Sequence, residues 1–141
     1  MGNTQSYRKA NFEDVQQVVS GEHSSNSLLI NTLPMVEQHC LIKNSVLAVN
    51  EETIINNLIA RDKKVLIIVY GKHNCTEEVI IKYRKLVSHG FENVYIYSGG
   101  LFEWLLLQDV YGNVSFPTTS TELDILKFTP MSDIRAKCNV L

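Results

Sequence analysis

The chain has 141 residues, the length of a single globular domain. Its 45% hydrophobic and 20% charged residues are typical of globular proteins and exclude the disordered, collagen-like and disulfide-rich classes. With 13 Lys and Arg against 15 Asp and Glu, the formal net charge is -2, so the chain lacks the basic excess of nucleic-acid-binding proteins and we expect no nucleic acid partner.

The first half of the chain alternates helical and strand patterns. A helix is predicted from the N-cap residue Asn11 to Gly21, because apolar residues recur there at helical spacing. Consecutive apolar residues predict a strand at 28–30, and a second short strand is predicted at 46–49. An apolar stripe then predicts a helix from residue 50 to about residue 61.

The second half contains the clearest strand, at 65–70, whose uninterrupted apolar and β-branched residues predict the centre of the sheet. The elements predicted after it are a polar loop at 71–75, a helix at 76–89 that stops at Gly90, a strand at 93–97, a turn at 98–100 and a short helix at 101–107. This alternation predicts an α/β fold of three layers, with a parallel central sheet and helices on both faces. We assign residues 11–130 to the domain, residues 1–10 to a flexible N-terminal segment, and residues 131–141 to a flexible C-terminal tail.

A set of spaced residues follows the strand at 65–70 and the loop and helix after it, namely Gly90, Phe91, Asn93, Gly99, Gly100 and Trp104. This pattern resembles the rhodanese-like domain family, and the likeness covers about residues 28–104. Family members usually carry an aspartate and an arginine around the end of the first strand. This chain has Asn31 and Leu33 in that region, and Leu41, Asn44 and Ser45 follow where the family pattern continues.

The resemblance also implies that a sulfurtransferase would carry a nucleophilic cysteine as the first loop residue, where this chain has Gly71. Loop N–H groups at a helix N-terminus lower the pKa of such a thiol, which carries sulfane sulfur as a persulfide. Glycine offers no sulfur, so we predict a domain without catalytic residues or a cofactor. We expect it to act as a binding or regulatory module for a protein partner that the sequence does not identify.

Two alternatives keep an enzymatic role for this loop. Cys75, near Lys72 and His73, would replace the missing thiol as a sulfur carrier in a thiosulfate-type sulfurtransferase. A phosphatase is the least favoured, because it needs the loop thiol and an arginine where Thr76 stands. A related hypothesis is an anion-binding loop formed by backbone N–H groups, with the residues Gly71, Lys72, His73, Asn74, Cys75 and Thr76.

The three cysteines, Cys40, Cys75 and Cys138, have unrelated spacings and favour a reducing compartment. His39 and His73 lie near two of them, but no Cys-x-x-Cys or His-x-x-x-His spacing is present, so we expect no metal site. Without an apolar run of about 20 residues or a secretory signal, the sequence predicts a cytoplasmic protein.

Both ends of the chain fit lipidation patterns. Gly2 with Ser6 fits N-myristoylation, with Arg8 and Lys9 as a thin basic patch behind them. Cys138, four residues from the end, fits a prenylation box, although Asn139 is a poor match there. Since one myristoyl chain gives only marginal binding, a second signal would be needed for stable attachment to the cytoplasmic face of a membrane. The alternative is that both matches are accidental.

Overall fold

The computed structural model describes residues 6–21, 26–74 and 76–134, which form one sheet flanked by helices. The elements in chain order are β1 (Lys9–Ala10), α1 (Phe12–Ser20), β2 (Ser27–Asn31), β3 (Ser45–Val46), α2 (Ala48–Arg61), β4 (Leu66–Tyr70), α3 (Glu77–Ser88), β5 (Asn93–Tyr97) and α4 (Gly100–Tyr111). Two short 3-10 helices, Met35–Glu37 and Ile125–Phe128, lie in the connections.

The five strands are all parallel, in the order β1-β5-β4-β2-β3. β4 is central, and its residues 67–70 are buried, as the uninterrupted apolar run predicts. Parallel strands bring their carboxyl ends to one edge of the sheet, so the segments after β2, β4 and β5 lie near one another.

Two apolar cores separate the sheet from its helices. Ile68 and Tyr70 of β4 belong to the core under α1 and α4, while Ile67 and Val69 belong to the core under α2 and α3. The helical residues that complete the cores are Val15, Val18, Leu101, Trp104 and Leu105 on the first face, and Ile55, Val79, Tyr83 and Leu86 on the second. The predicted three-layer α/β fold is therefore confirmed.

Several element bounds differ from the sequence prediction. β1, at Lys9–Ala10, pairs with β5 although it lies in the segment assigned as flexible, because two residues carry no recognisable strand pattern. The strand predicted at 46–49 is only Ser45–Val46, and Ala48 already begins α2. α4 continues to Tyr111, well past residue 107, and ends at Gly112, which has a φ of 100°.

Candidate functional site

The loop after β4 lies at the carboxyl edge of the sheet, between the ends of the neighbouring strands. β4 ends at Tyr70 and α3 begins at Glu77. The Thr32 backbone N–H donates to the Tyr70 carbonyl oxygen over 2.9 Å, and the Thr32 hydroxyl reaches the same oxygen at 3.2 Å. The start of the loop is therefore fixed to the segment that follows β2.

Gly71, at the position where the resemblance expects a nucleophile, is buried and closely surrounded. A Cβ atom added to it would lie 2.8 Å from Val79 Cγ2, 2.9 Å from Thr32 Oγ1 and 3.1 Å from Thr76 Oγ1. The space that a side chain would occupy is thus already filled. A larger residue fits only if these three neighbours move, which overpacks a close-packed region.

The other side of the loop is bonded to the start of α4. The Leu101 N–H donates to the Gly71 carbonyl over 2.9 Å, and the Phe102 N–H donates to the Lys72 carbonyl over 2.8 Å. Gly100, with a φ of 67°, allows this approach, since a Cβ there would lie 2.9 Å from both Gly71 O and His73 N. Two N–H groups at the positive end of α4 are therefore occupied by loop carbonyls rather than directed at solvent.

The charges around the loop do not favour an anion. Lys72 Nζ lies 3.0 Å from Glu37 Oε1, so its positive charge is paired. Glu77 and Glu78 occupy the first turn of α3, where they satisfy the helix dipole themselves. Anion binding by residues 71–76 therefore stays a prediction that the surrounding charges oppose.

Asn31, at the end of β2, is 2% exposed and is the centre of a buried polar network. Its amide pairs reciprocally with that of Gln38, at 3.1 and 2.8 Å. Asn31 also donates to the Val46 carbonyl over 2.9 Å and accepts from the Leu33 N–H over 3.0 Å. Gln38 accepts from the Ala48 N–H over 3.0 Å. A neutral amide pair thus joins the ends of β2 and β3 to the start of α2.

A family model for the rhodanese-like domain matches residues 14–107. The chain belongs to the rhodanese-like domain family. The resemblance found in the sequence is therefore confirmed at the level of the family and of its α/β fold.

Solved structures share the fold of this rhodanese-like domain at low sequence identity. The Alr3790 protein from Anabaena sp. is 18% identical, with a TM-score of 0.58 over 84% of this chain and 97% of that one. A single-domain sulfurtransferase from Saccharomyces cerevisiae is 17% identical, with a TM-score of 0.54 over 77% of this chain and 97% of that one.

A thiosulfate sulfurtransferase from Pseudomonas aeruginosa is 18% identical, with a TM-score of 0.56 over 71% of this chain and 19% of that longer one. No curated protein matches the sequence. At these identities the structural likeness shows the fold and does not transfer an activity.

Tyr70 and Tyr97 are the most deeply buried tyrosines among the described residues, and their hydroxyl groups hydrogen-bond within the protein. Burial raises the pKa of Tyr70, whose hydroxyl accepts from the Ile42 N–H over 3.1 Å and lies 2.6 Å from Ser45 Oγ. Burial and the Glu103 carboxylate raise the pKa of Tyr97, which donates to Glu103 Oε1 over 2.5 Å. Both hydroxyls therefore stay protonated near neutral pH and act as hydrogen-bonding groups.

The predicted lipid and sulfur sites of the domain fall outside the described ranges. Gly2, Cys75 and Cys138 are not among residues 6–21, 26–74 and 76–134. Cys40 is described, and it is buried with its thiol 3.4 Å from the Ser120 carbonyl. Burial is the main cause that raises the pKa of Cys40, so it is a poor nucleophile.

Within residues 6–21, 26–74 and 76–134, no group of three or more His, Cys, Asp or Glu side chains is arranged to hold a metal ion. Among the helices of those same ranges, none combines the length and the apolar character needed to cross a bilayer.

α2 and α3 border a cleft of about 720 Å³, a size typical of ligand sites. Leu33, Ile55 and Leu86 provide apolar lining. Lys82 of α3 forms an ion pair with Glu51 of α2 across it. The lining contains no described residue of the 71–76 loop, but it includes Thr32, which also packs against Gly71, so the cleft lies beside the start of the loop.

Proposed function

We propose that the protein is a catalytically inactive rhodanese-like domain that serves as a binding or regulatory module. The observation that carries the proposal is the filled space at Gly71. Thr32, Val79 and Thr76 occupy the volume that a nucleophilic side chain would need, as the short distances to a hypothetical Cβ indicate. The first residue of the loop thus has no room for a side chain in this packing, which supports an inactive domain.

The surroundings of the loop support the same proposal. A persulfide carries negative charge at the loop, and a sulfurtransferase stabilises it with N–H donors and positive charge. Here Lys72 is paired with Glu37, and Glu77 and Glu78 add negative charge at the start of α3. A binding role for an unidentified protein partner is supported by the cleft between α2 and α3, which offers a ligand-sized surface.

Purified protein supplied with thiosulfate and cyanide is expected to form no thiocyanate above background, because no thiol stands at Gly71. The measurement is the initial rate of thiocyanate formation, with a sulfurtransferase of the same fold as the positive control. Turnover that is abolished by Cys75→Ala would reject the proposal in favour of Cys75 as the sulfur carrier.

Gly71→Cys is the matched control for the position of the thiol. We expect it to stay inactive and to unfold with a free energy lower by about 1–3 kcal/mol, because the new side chain overpacks its surroundings. A Gly71→Cys protein with full stability and thiocyanate formation would show that the space at this position is available.

The second part of the proposal is a tether to the cytoplasmic face of a membrane through a myristoyl group on Gly2. The Met1-Gly2 start with Ser6 supports it. Protein made in cells with a myristoyltransferase is expected to show the mass of one myristoyl group, and Gly2→Ala is expected to lack it. An intact mass without the group in the unaltered protein would remove the tether and leave the inactive-module proposal standing.

A further inference from the structure

Several basic side chains lie near one another at the amino-terminal ends of the strands, called here the amino edge of the sheet, on the side of α2 and α3. α2 and α3 run opposite to the parallel strands, so their last residues lie at this edge together with the residues that precede β4 and β5. The amino-edge basic patch consists of Arg8, Arg61, Lys63, Lys64, Arg84 and Lys85, all exposed. Asp62 and Glu92 are the acidic residues that lie among them in the segments leading into β4 and β5.

Hydrogen bonds hold the segments that carry Arg8 and Lys63 next to each other. The Arg8 guanidinium donates to the Glu92 carbonyl over 2.7 Å and lies 4.5 Å from the centre of the Tyr95 ring. The Glu92 N–H donates in turn to the Lys63 carbonyl over 3.0 Å. The Lys63 ammonium also extends over Gly90, since a Cβ added there would lie 3.1 Å from Lys63 Nζ.

The N-terminal segment runs into the same surface. Arg84 donates to the Tyr7 hydroxyl over 2.8 Å, and the Tyr7 ring packs edge-on against Tyr83 at 5.4 Å. Ser6, the first described residue, therefore lies beside the patch. Gly2 precedes Ser6 by four residues, a chain length that spans at most about 14 Å.

The lysines of the patch are not used by ion pairs in the described ranges. The pairs found there involve Lys72, Lys82, Lys127 and His39, each with a glutamate outside the patch. Lys63, Lys64 and Lys85 are exposed, so their charges are accessible to a ligand. The patch is locally basic although the net charge of the chain is -2, because acidic residues predominate elsewhere in the sequence.

We propose that the amino-edge basic patch docks on an anionic lipid surface, with Gly2 as the point of insertion. The inference rests on the proposed tether, to which it adds the second signal that stable anchoring requires, since a single myristoyl chain binds only marginally. Each lysine or arginine near an anionic bilayer strengthens binding by about fivefold. The domain then faces the membrane with its amino edge, and the edge carrying the 71–76 loop points away from the bilayer.

The test is vesicle binding by the full chain, made with and without a myristoyltransferase. Vesicles of phosphatidylcholine alone are compared with vesicles that also contain phosphatidylserine. We expect Lys63→Gln with Lys64→Gln to weaken binding of the myristoylated protein to the phosphatidylserine vesicles by about 25-fold and to leave binding to pure phosphatidylcholine unchanged.

The matched control uses single substitutions. Lys64→Gln, in the patch, is expected to weaken binding to phosphatidylserine vesicles by about fivefold. Lys43→Gln removes the same charge from an exposed lysine beside α1, and we expect it to keep its affinity. Full affinity in the Lys63 and Lys64 variant, or an equal loss in Lys64→Gln and Lys43→Gln, overturns the patch.

Intact mass tests the myristoyl tether, and vesicle binding tests the patch separately. Absence of the myristoyl mass removes the tether alone, and the patch is then judged from the unmodified protein at low ionic strength, where the same lysine dependence on phosphatidylserine is expected. Binding of the unmodified protein to an RNA duplex through Lys63 and Lys64, with no affinity for phosphatidylserine vesicles, overturns the proposal in favour of nucleic acid.

Discussion

Gly100→Ala is expected to lower the free energy of unfolding by about 2–5 kcal/mol, the sum of a backbone penalty and a packing penalty. The φ of 67° at Gly100 costs an L-residue about 1–2 kcal/mol. The new Cβ would also lie 2.9 Å from Gly71 O and His73 N, and such overpacking costs about 1–3 kcal/mol. Equilibrium denaturation in urea measures the change.

Gly90→Ala is the matched control, because it shares the backbone penalty without meeting backbone atoms. Gly90 has a φ of 95°, and the Cβ that would be added meets only the exposed, flexible side chain of Lys63, which can move aside. We expect this variant to lose only about 1–2 kcal/mol. Equal losses for the two alanine variants would contradict close packing of α4 against the loop.

The close approach of Gly100 explains how the first two loop residues are held against α4. Gly71 and Lys72 direct their carbonyl oxygens at the N–H groups of Leu101 and Phe102. Thr32 and Val79 fill the opposite side, around the α-carbon of Gly71. Gly71 and Lys72 are therefore held by the protein's own groups, which supports the proposed binding or regulatory module rather than a catalytic cradle.

The sequence was sufficient to predict the sheet, because its strongest strand is made of consecutive apolar and β-branched residues. The run ending at Tyr70 is central and buried, as predicted. The glycine pattern was equally informative, since Gly90 and Gly100 both adopt positive φ values. β1 was missed because Lys9 and Ala10 form a strand only by pairing with β5, far along the chain.

The features that sequence reasoning missed all depend on contacts between distant residues. The sequence showed Asn31 only as a departure from the family's aspartate, whereas its pairing with Gln38 is a tertiary contact without a periodic signature. The sequence likewise showed Arg8 and Lys9 as a thin patch. Lys63 and Arg84 join that surface through Glu92 and Tyr7 only after folding.

Asn31→Asp is expected to destabilise the fold by about 3–5 kcal/mol at pH 7. The substitution restores the acidic residue usual in the family but removes the amide N–H groups that donate to Gln38 Oε1 and to the Val46 carbonyl. The new carboxylate would be buried against these two oxygens. A chemical denaturation series from pH 4 to pH 8 measures the loss.

The pH dependence identifies the cause of this loss. Burial and the facing oxygens disfavour the ionised form, so the pKa of the new carboxyl group rises above its unfolded value of about 3.9. The destabilisation should be smallest at pH values below the unfolded pKa. It should grow as the pH rises, and level off above the raised pKa of the folded state. Asn57→Asp, on the exposed face of α2, is the control and should change stability by less than about 0.5 kcal/mol at any of these pH values. A loss for Asn31→Asp that is the same at pH 4 and pH 8 would rule out a buried charge as its cause.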